Sequence, residues 1–156
     1  YFKDTNFVLK ITGQITDSPE DQAIWKYIKK NRLEDKIVFT GFKHGKELEA
    51  LISKATCIVC PAIWYENMPN TVIEAYAYGK PVVASKVGSL AEIVEDGKTG
   101  FLFEMKNSKD FSHKLAHFIS DKNLSKTMGI EARKKCENEY NTEKHMKNVL
   151  RILGEN

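Results

Sequence analysis

Cysteine is scarce in this chain of 156 residues: there are three, Cys57, Cys60 and Cys136. An odd count at irregular spacings builds no disulfide framework and suits a reducing, cytoplasmic setting. Charge of one sign is lacking too, since 24 Lys plus Arg against 21 Asp plus Glu leaves +3. Residues 106–156 carry 11 basic and 7 acidic groups, a bias too small to indicate a nucleic-acid partner. No apolar run approaches the roughly 20 residues of a membrane span. The opening Tyr1-Phe2-Lys3-Asp4-Thr5 has neither an initiator Met nor signal-peptide architecture, so the chain reads as one excised from something longer. Repeats, low-complexity tracts and Asp-x-Asp strings are missing as well. With 42% apolar and 29% charged residues, what remains is an ordinary globular domain, long enough to bury about 70% of its unfolded surface without a metal or disulfide staple.

The apolar period alternates along the chain. Phe7 to Thr12, Lys36 to Thr40, Cys57 to Pro61, Pro81 to Ser85 and Thr99 to Phe103 read as five short strands. Between them fall helical stretches: one opened by Pro19 with Ala23, Ile24, Tyr27 and Ile28 on a stripe, then His44 to Ala55, Thr71 to Tyr78 closed by Gly79, and Leu90 to Glu95. Strands alternating with helices predict a doubly wound α/β layer with a parallel sheet covered on both faces. Residues 105–156 are helical in about three segments, and no Gly-, Pro- or Ser-rich linker precedes them, so they are expected to pack on that layer within one domain spanning 1–156. Ligands in such sheets bind outside the carboxyl ends of the strands, which gives residues just after strands the most weight.

Cys57-Ile58-Val59-Cys60 spells C-x-x-C, but within a strand side chains three apart point to opposite faces, so two core thiols are expected rather than a metal or redox pair. The informative segment follows this strand: Glu66-Asn67-Met68-Pro69-Asn70-Thr71-Val72-Ile73-Glu74-Ala75. Pro69 interrupts any helix across it and Asn70 is the expected N-cap, leaving Glu66 in the loop and Glu74 inside the helix. The helix start presents unpaired amides near Thr71 and Val72 and a positive dipole end, which suit a phosphate or diphosphate. Carboxylates there would repel a phosphate, yet each can accept hydrogen bonds from a vicinal diol. A phosphate site between two diol-binding carboxylates describes a sugar nucleotide. Capping and surface solubility are the competing explanation of the Glu pair.

Glu66 and Glu74 are followed by Ala75, Ala77, Gly79, Pro81-Val82-Val83-Ala84-Ser85, Val87-Gly88, Glu92 and Asp96-Gly97-Lys98-Thr99-Gly100, and preceded by Thr40-Gly41-Phe42, Glu47-Leu48 and Ala55 to Pro61. Taken together, this course resembles the C-terminal domain of glycosyltransferase family 4, which has the two-domain GT-B fold, Rossmann-like in each half, and the E-x7-E motif. The resemblance covers nearly the whole chain. It implies the donor-binding half of a retaining transferase that moves a sugar from a nucleotide diphosphate to a glycan or lipid-linked acceptor without a metal or other cofactor.

Carried over by position, Glu66 would be the catalytic carboxylate in contact with the donor sugar, and Glu74 would bind the ribose hydroxyls. The segment Asn67, Met68, Pro69, Asn70, Thr71 and Val72 would hold sugar hydroxyls and diphosphate, through the main-chain amides of Asn67, Met68, Asn70 and Thr71. Gly41, Phe42 and Lys43 would border the base, and Gly13 would stand by the phosphates. Helix-terminal amides can replace a cation as the phosphate clamp.

The sequence departs from the family in several places. Gly13-Gln14-Ile15-Thr16 stands where many members have Gly-x-Gly, and Met68-Pro69 replaces the common glycines. The first strand with its Arg and Lys, and the N-terminal acceptor domain with its usual catalytic His, are missing, so the isolated domain is expected to be inactive. Polysaccharide, lipopolysaccharide and glycolipid assembly all fit.

Other constellations read more plainly. His113 and His117, four apart, fall opposite the stripe Phe111, Leu115, Phe118 and Ile119 and are expected to be solvated. Trp64 and Tyr65 are expected to anchor their loop to the core, with stacking on a sugar or base as the alternative. Asp96 to Gly100 lacks phosphate-loop spacing and reads as a tight turn. Gly88 and Ser89 fit either a simple turn or a second close approach to the diphosphate. The basic tail, Arg133-Lys134-Lys135 and Lys144 to Arg151, is a solvated face or a peripheral contact to the inner face of an anionic membrane. A non-catalytic module that keeps the fold for assembly or partner binding remains the alternative function, ahead of a phosphorylase or epimerase relative.

Overall fold

A computed structural model describes residues 5–14 and 16–154. Residues 1–4, which open the N-terminal string, and Ile15 of the turn at 13–16 lie outside the described residues. The chain divides into two compact units, Tyr1–Leu51 and Ile52–Asn156.

In the first unit β1 (Leu9–Thr12), α1 (Pro19–Lys30) and β2 (Ile37–Gly41) make a β-α-β crossover with parallel strands. Ser18 caps α1 by accepting the Asp21 amide at 3.1 Å, and Pro19 occupies the first turn, where its missing N–H costs nothing. Ile28 is buried and the Trp25 ring packs against that of Phe39, tilted by 38° with centroids 4.8 Å apart. The inner face therefore runs through Trp25 and Ile28. Ala23, Ile24 and Tyr27, expected on that face, are exposed. Their helical spacing is right, but the stripe is rotated by about one residue, because the indole claims the contact with β2. The register slips between Ile11 and Thr12, so Thr12 faces Gly41 and Thr40 bulges at the carboxyl end of β2. Helix α2 (Gly45–Lys54) follows and runs past the boundary between the units.

The second unit contains β3 (Ile58–Cys60), α3 (Asn70–Ala77), β4 (Val82–Ser85), α4 (Gly88–Ile93), β5 (Gly100–Phe103), α5 (Ser108–Ser120), α6 (Leu124–Glu139) and α7 (Thr142–Leu153). Its three strands are parallel in the order β3-β4-β5. Every residue of β4 is buried. Because successive side chains alternate, Val82 and Ala84 meet Val72, Ala75 and Tyr76 of α3, Leu90 of α4 and Ala132 of α6, whereas Val83 meets Phe103, Phe118 and Met128. The sheet is covered on both faces, as the doubly wound reading predicts. Cys57 packs with the second group and Cys60 with the first, which is the opposite-face placement expected of a strand C-x-x-C. All three cysteines are free, and burial pushes the Cys57 thiol up to about 12.

Two glycines allow close backbone approaches, one between β5 and β4 and one between α6 and the turn after α3. A Cβ on Gly100 would lie 1.9 Å from the Val82 carbonyl oxygen, and one on Gly129 would lie 2.1 Å from that of Gly79. Helix α7 has the apolar side chains Met146, Leu150, Ile152 and Leu153 exposed, and none of its residues is buried. No helix among the described residues is long and apolar enough to cross a membrane.

Candidate functional site

Parallel pairing of β3 with β4 puts the loops after both strands at one sheet edge. The loop after β3 carries Glu66 and leads into α3; the chain after β4 passes into α4, whose first two residues are Gly88 and Ser89. The loop and the start of α4 touch. Ser89 Oγ donates to the Glu66 carbonyl oxygen at 2.6 Å. Gly88 sits at φ +50°, and a Cβ there would lie 3.0 Å from Tyr65 Cδ1 and 3.6 Å from the Glu66 nitrogen.

Helix α3 starts one residue earlier than its sequence suggests. Pro69 is the N-cap and Asn70 the first helical residue, so no side chain caps the helix. The Pro69 ring is buried, which fixes the helix start by packing rather than by an Asn cap. The Val72 amide donates to the Pro69 carbonyl at 2.9 Å and is thereby engaged, leaving the amides of Asn70 and Thr71 as the outward-facing donors of the first turn. The Val72 side chain is fully buried. Asn67, Met68, Asn70, Thr71 and Glu74 are exposed, and Glu66 is half-buried. Burial first, and then the negative charge of Glu66, hold the Cys60 thiol above its ordinary value, which puts that carboxylate near the end of β3.

The far end of α3 is tied down by a buried polar cluster that sequence reading missed. Tyr76 Oη and Thr99 Oγ1 share a 2.6 Å hydrogen bond, and Thr99 Oγ1 also accepts the Glu95 amide at 2.9 Å. Both side chains are fully buried, and burial raises the Tyr76 phenol well above its usual value. A Tyr two residues after Glu74 and a Thr inside Asp-Gly-Lys-Thr-Gly gave no separate signal of pairing. The segment Asp96 to Gly100 is the expected tight turn: the Gly97 amide donates to the Gly100 carbonyl at 2.8 Å, and Asp96 Oδ1 accepts the Leu102 amide at 2.8 Å.

In the first unit the structure brings Gly13 and Gly41 together at the carboxyl ends of β1 and β2, the Gly13 amide donating to the Gly41 carbonyl at 3.1 Å. Gly41 has φ +72°, a turn conformation that glycine takes without a Cβ penalty. Phe42 is 73% exposed with its ring 6.1 Å from that of His44, and half-buried Lys43 pairs with Glu47 at 3.3 Å. Gly13, Gly41, Phe42 and Lys43 thus lie at or just after the carboxyl ends of β1 and β2.

Two expectations need correction. Trp64 and Tyr65 do not anchor the loop in the core; they are 60% and 84% exposed, in line with Ile63 and Met68 at 55% each. Buried Ala62 and Pro69 hold the loop instead, leaving the aromatics outside. His113 and His117 are exposed as predicted, but the His117 ring stacks on Phe101 with centroids 4.9 Å apart, so it is a packing group. Among the described residues no group of three or more His, Cys, Asp or Glu is arranged to hold a metal.

The architecture just described is that of the GT-B glycosyltransferases. The chain superposes on a crystal structure of Anabaena Alr3699/HepE in complex with UDP with a TM-score of 0.85 at 22% identity, covering 95% of this chain and 41% of that one. It superposes on a glycosyltransferase from Rickettsia africae with a TM-score of 0.83 at 25% identity, covering 96% and 40%. At the level of sequence, residues 2–135 match the family described as "Glycosyl transferases group 1", and the chain belongs to that family. A similar protein is the uncharacterized glycosyltransferase MJ1178 of Methanocaldococcus jannaschii, 32% identical over 153 residues, which are 98% of this chain and 42% of that protein. The N-acetyl-alpha-D-glucosaminyl L-malate synthase of Bacillus anthracis is 26% identical over 130 residues, 83% of this chain and 33% of the synthase. The chain thus spans less than half the length of these relatives.

Proposed function

We propose that this chain is the C-terminal, donor-binding domain of a family 4 glycosyltransferase, a retaining and metal-independent hexosyltransferase that moves a sugar from a nucleotide diphosphate to a glycan or lipid-linked acceptor. The observation that carries this reading is the pair Glu66 and Glu74 on either side of the uncapped N-terminus of α3. In this reading Glu74 accepts hydrogen bonds from the ribose diol, and Glu66 faces the donor sugar at the reacting carbon. The first-turn amides of Asn70 and Thr71, with those of Asn67 and Met68, take the diphosphate and sugar oxygens, so that oriented N–H groups and the helix dipole do the work of a cation. Gly41, Phe42, Lys43 and Gly13 contribute the base and phosphate side.

Support comes also from the similar fold of Alr3699/HepE, a protein crystallised with UDP-glucose. The enzyme works in the cytoplasm with no cofactor, and the domain alone has no transferase activity because the acceptor side belongs to the rest of the protein. A peripheral contact of the basic helical face with an anionic inner-membrane surface completes the reading, and sedimentation with anionic liposomes that leaves the protein in the supernatant removes that part of it.

The test is a calorimetric screen of UDP-, GDP- and ADP-sugars in chelator, with Glu74→Ala beside the natural chain. One nucleotide family should bind, and Glu74→Ala should weaken it about tenfold, the loss of hydrogen bonds to a charged acceptor. Equal affinity of the two proteins would reject the donor-site assignment.

A further inference from the structure

We propose that Ser89 is a positioning residue for Glu66, and that the turn into α4 at Gly88-Ser89 decides where this carboxylate stands. The inference rests on the assignment of Glu66 to the donor sugar. Three observations carry it. Glu66 lies in an irregular segment between the end of β3 at Cys60 and the start of α3 at Asn70, so the ladders of regular structure do not fix its backbone. The Ser89 hydroxyl reaches across from the first turn of α4, 23 residues away, to donate to the Glu66 carbonyl at 2.6 Å. Beside it, Gly88 takes a left-handed φ of +50°, and the space where its Cβ would stand is bordered by Tyr65 Cδ1 at 3.0 Å, Tyr65 Cα at 3.5 Å and the Glu66 nitrogen at 3.6 Å. Tyr65 and Glu66 thus rest directly on the turn, although the Tyr65 ring is otherwise open to solvent.

These contacts act on the backbone on both sides of the Glu66 Cα. The carbonyl is held by Ser89 and the amide side lies against Gly88, so the direction of the Cα–Cβ bond is set from the turn and not from the loop's own sequence. The Ser89 hydroxyl is committed to Glu66, so a second approach of this helix start to the diphosphate would be made by its main-chain amides and leaves the brace in place. A sugar-directed carboxylate on an otherwise exposed loop needs such a brace, because a displacement of about an ångström is enough to lose a productive contact. Once the loop is held from the β4 side, its exposed face, Trp64 and Met68, is free of structural duty.

The experiment compares nucleotides with nucleotide sugars. UDP, GDP and ADP, and UDP-glucose, GDP-mannose and ADP-glucose, are titrated into the natural chain, Glu66→Gln, Ser89→Ala, Ser89→Thr and the double variant Glu66→Gln/Ser89→Ala. The increment in affinity that the sugar adds should be lost in Glu66→Gln. In Ser89→Ala it should fall about three- to tenfold, the size of one neutral hydrogen bond, with affinity for the nucleotide alone retained. Ser89→Thr, which keeps the hydroxyl, should restore it, and the double variant should be no weaker than Glu66→Gln alone.

An increment that Glu66→Gln removes but Ser89→Ala leaves intact overturns the positioning role while keeping Glu66 at the sugar. Parallel weakening of nucleotide and nucleotide sugar by Ser89→Ala also overturns it, since that is a loss of folding or of a diphosphate contact. An increment unaffected by Glu66→Gln, or no binding of any of the three nucleotide families, overturns the assignment of Glu66 and this proposal with it. Amide chemical shifts of residues 65–67 give a ligand-free check: they should move in Ser89→Ala and return in Ser89→Thr.

Discussion

The two units use the same β-α-β grammar with very different degrees of closure. In the first, β1 and β2 contain no buried residue, and Ile28 is the one fully buried apolar side chain among its described residues. In the second, every residue of β4 is buried and the helices on its two faces meet in separate apolar clusters. The candidate residues divide between the units as well: Glu66, Glu74 and the start of α3 belong to the closed sheet of the second, Gly13 and Gly41 to Lys43 to the more open sheet of the first. Behind the carboxylates the second unit is held by apolar packing. In the first unit, by contrast, strand pairing and turn geometry do most of the holding.

The contrast is sharpest at glycines. Gly100→Ala drives a methyl into the Val82 carbonyl 1.9 Å away, so chemical denaturation should find it destabilised by about 3 kcal/mol or more, or unfolded. Gly41→Ala meets nothing within 4 Å and strains only its φ of +72°; about 1–2 kcal/mol is expected. Comparable losses would erase the difference between the units.

Truncation extends the comparison to side chains. Leu90→Ala, at a fully buried position of the second unit, should cost about 2–5 kcal/mol. Val38→Ala in β2, where the side chain is 38% exposed, should cost about 1 kcal/mol or less. Tyr76→Phe falls between them, at about 1–3 kcal/mol, because it leaves Thr99 buried with one partner fewer.

The smallest effect is electrostatic. Hydrogen bonds from Lys135 first, then Lys98, each at 2.8 Å, hold the Glu95 carboxyl below its ordinary value of 4.5. A lowered carboxyl contributes stability above its unfolded value and loses it as pH falls through the folded one. Denaturation midpoints should therefore be flat in this respect from pH 7 down to about 5 and decline below 4.5. Glu95→Gln should remove that part of the decline and cost under about 1 kcal/mol at neutral pH, since solvent screens a side chain 36% exposed.

Much of this was legible in the chain itself. The strands at 37–41, 58–60, 82–85 and 100–103 fall within a residue or so of their apolar runs, because β-branched stretches between Gly and Pro leave few alternatives. The opposite faces of Cys57 and Cys60 followed from the period of a strand alone. The pair Glu66 and Glu74 was legible by spacing, and the family by the strings around it.

What could not be read depended on which side chains the packing buries. Asn70 is a better cap than Pro69 by propensity, yet burial of the Pro69 ring moved the helix start and left α3 without a side-chain cap. Trp64 and Tyr65 look like anchors, but Ala62 and Pro69 had already filled the space beneath them. The stripe of α1 turned toward Trp25 because Phe39 offered a ring to pack against.

The sequence by itself determined the parallel α/β class, the order of elements and the two carboxylates that bracket a helix start, since these depend on local periodicity and on steric rules of Pro and Gly. Only the tertiary structure decided where α3 starts and so which of its amides remain outward, that Thr99 secures Tyr76, and that Ser89 holds Glu66 from the start of α4. The last two contacts each join residues 23 apart in the chain, and they exist only once parallel pairing and helix packing have brought those segments together.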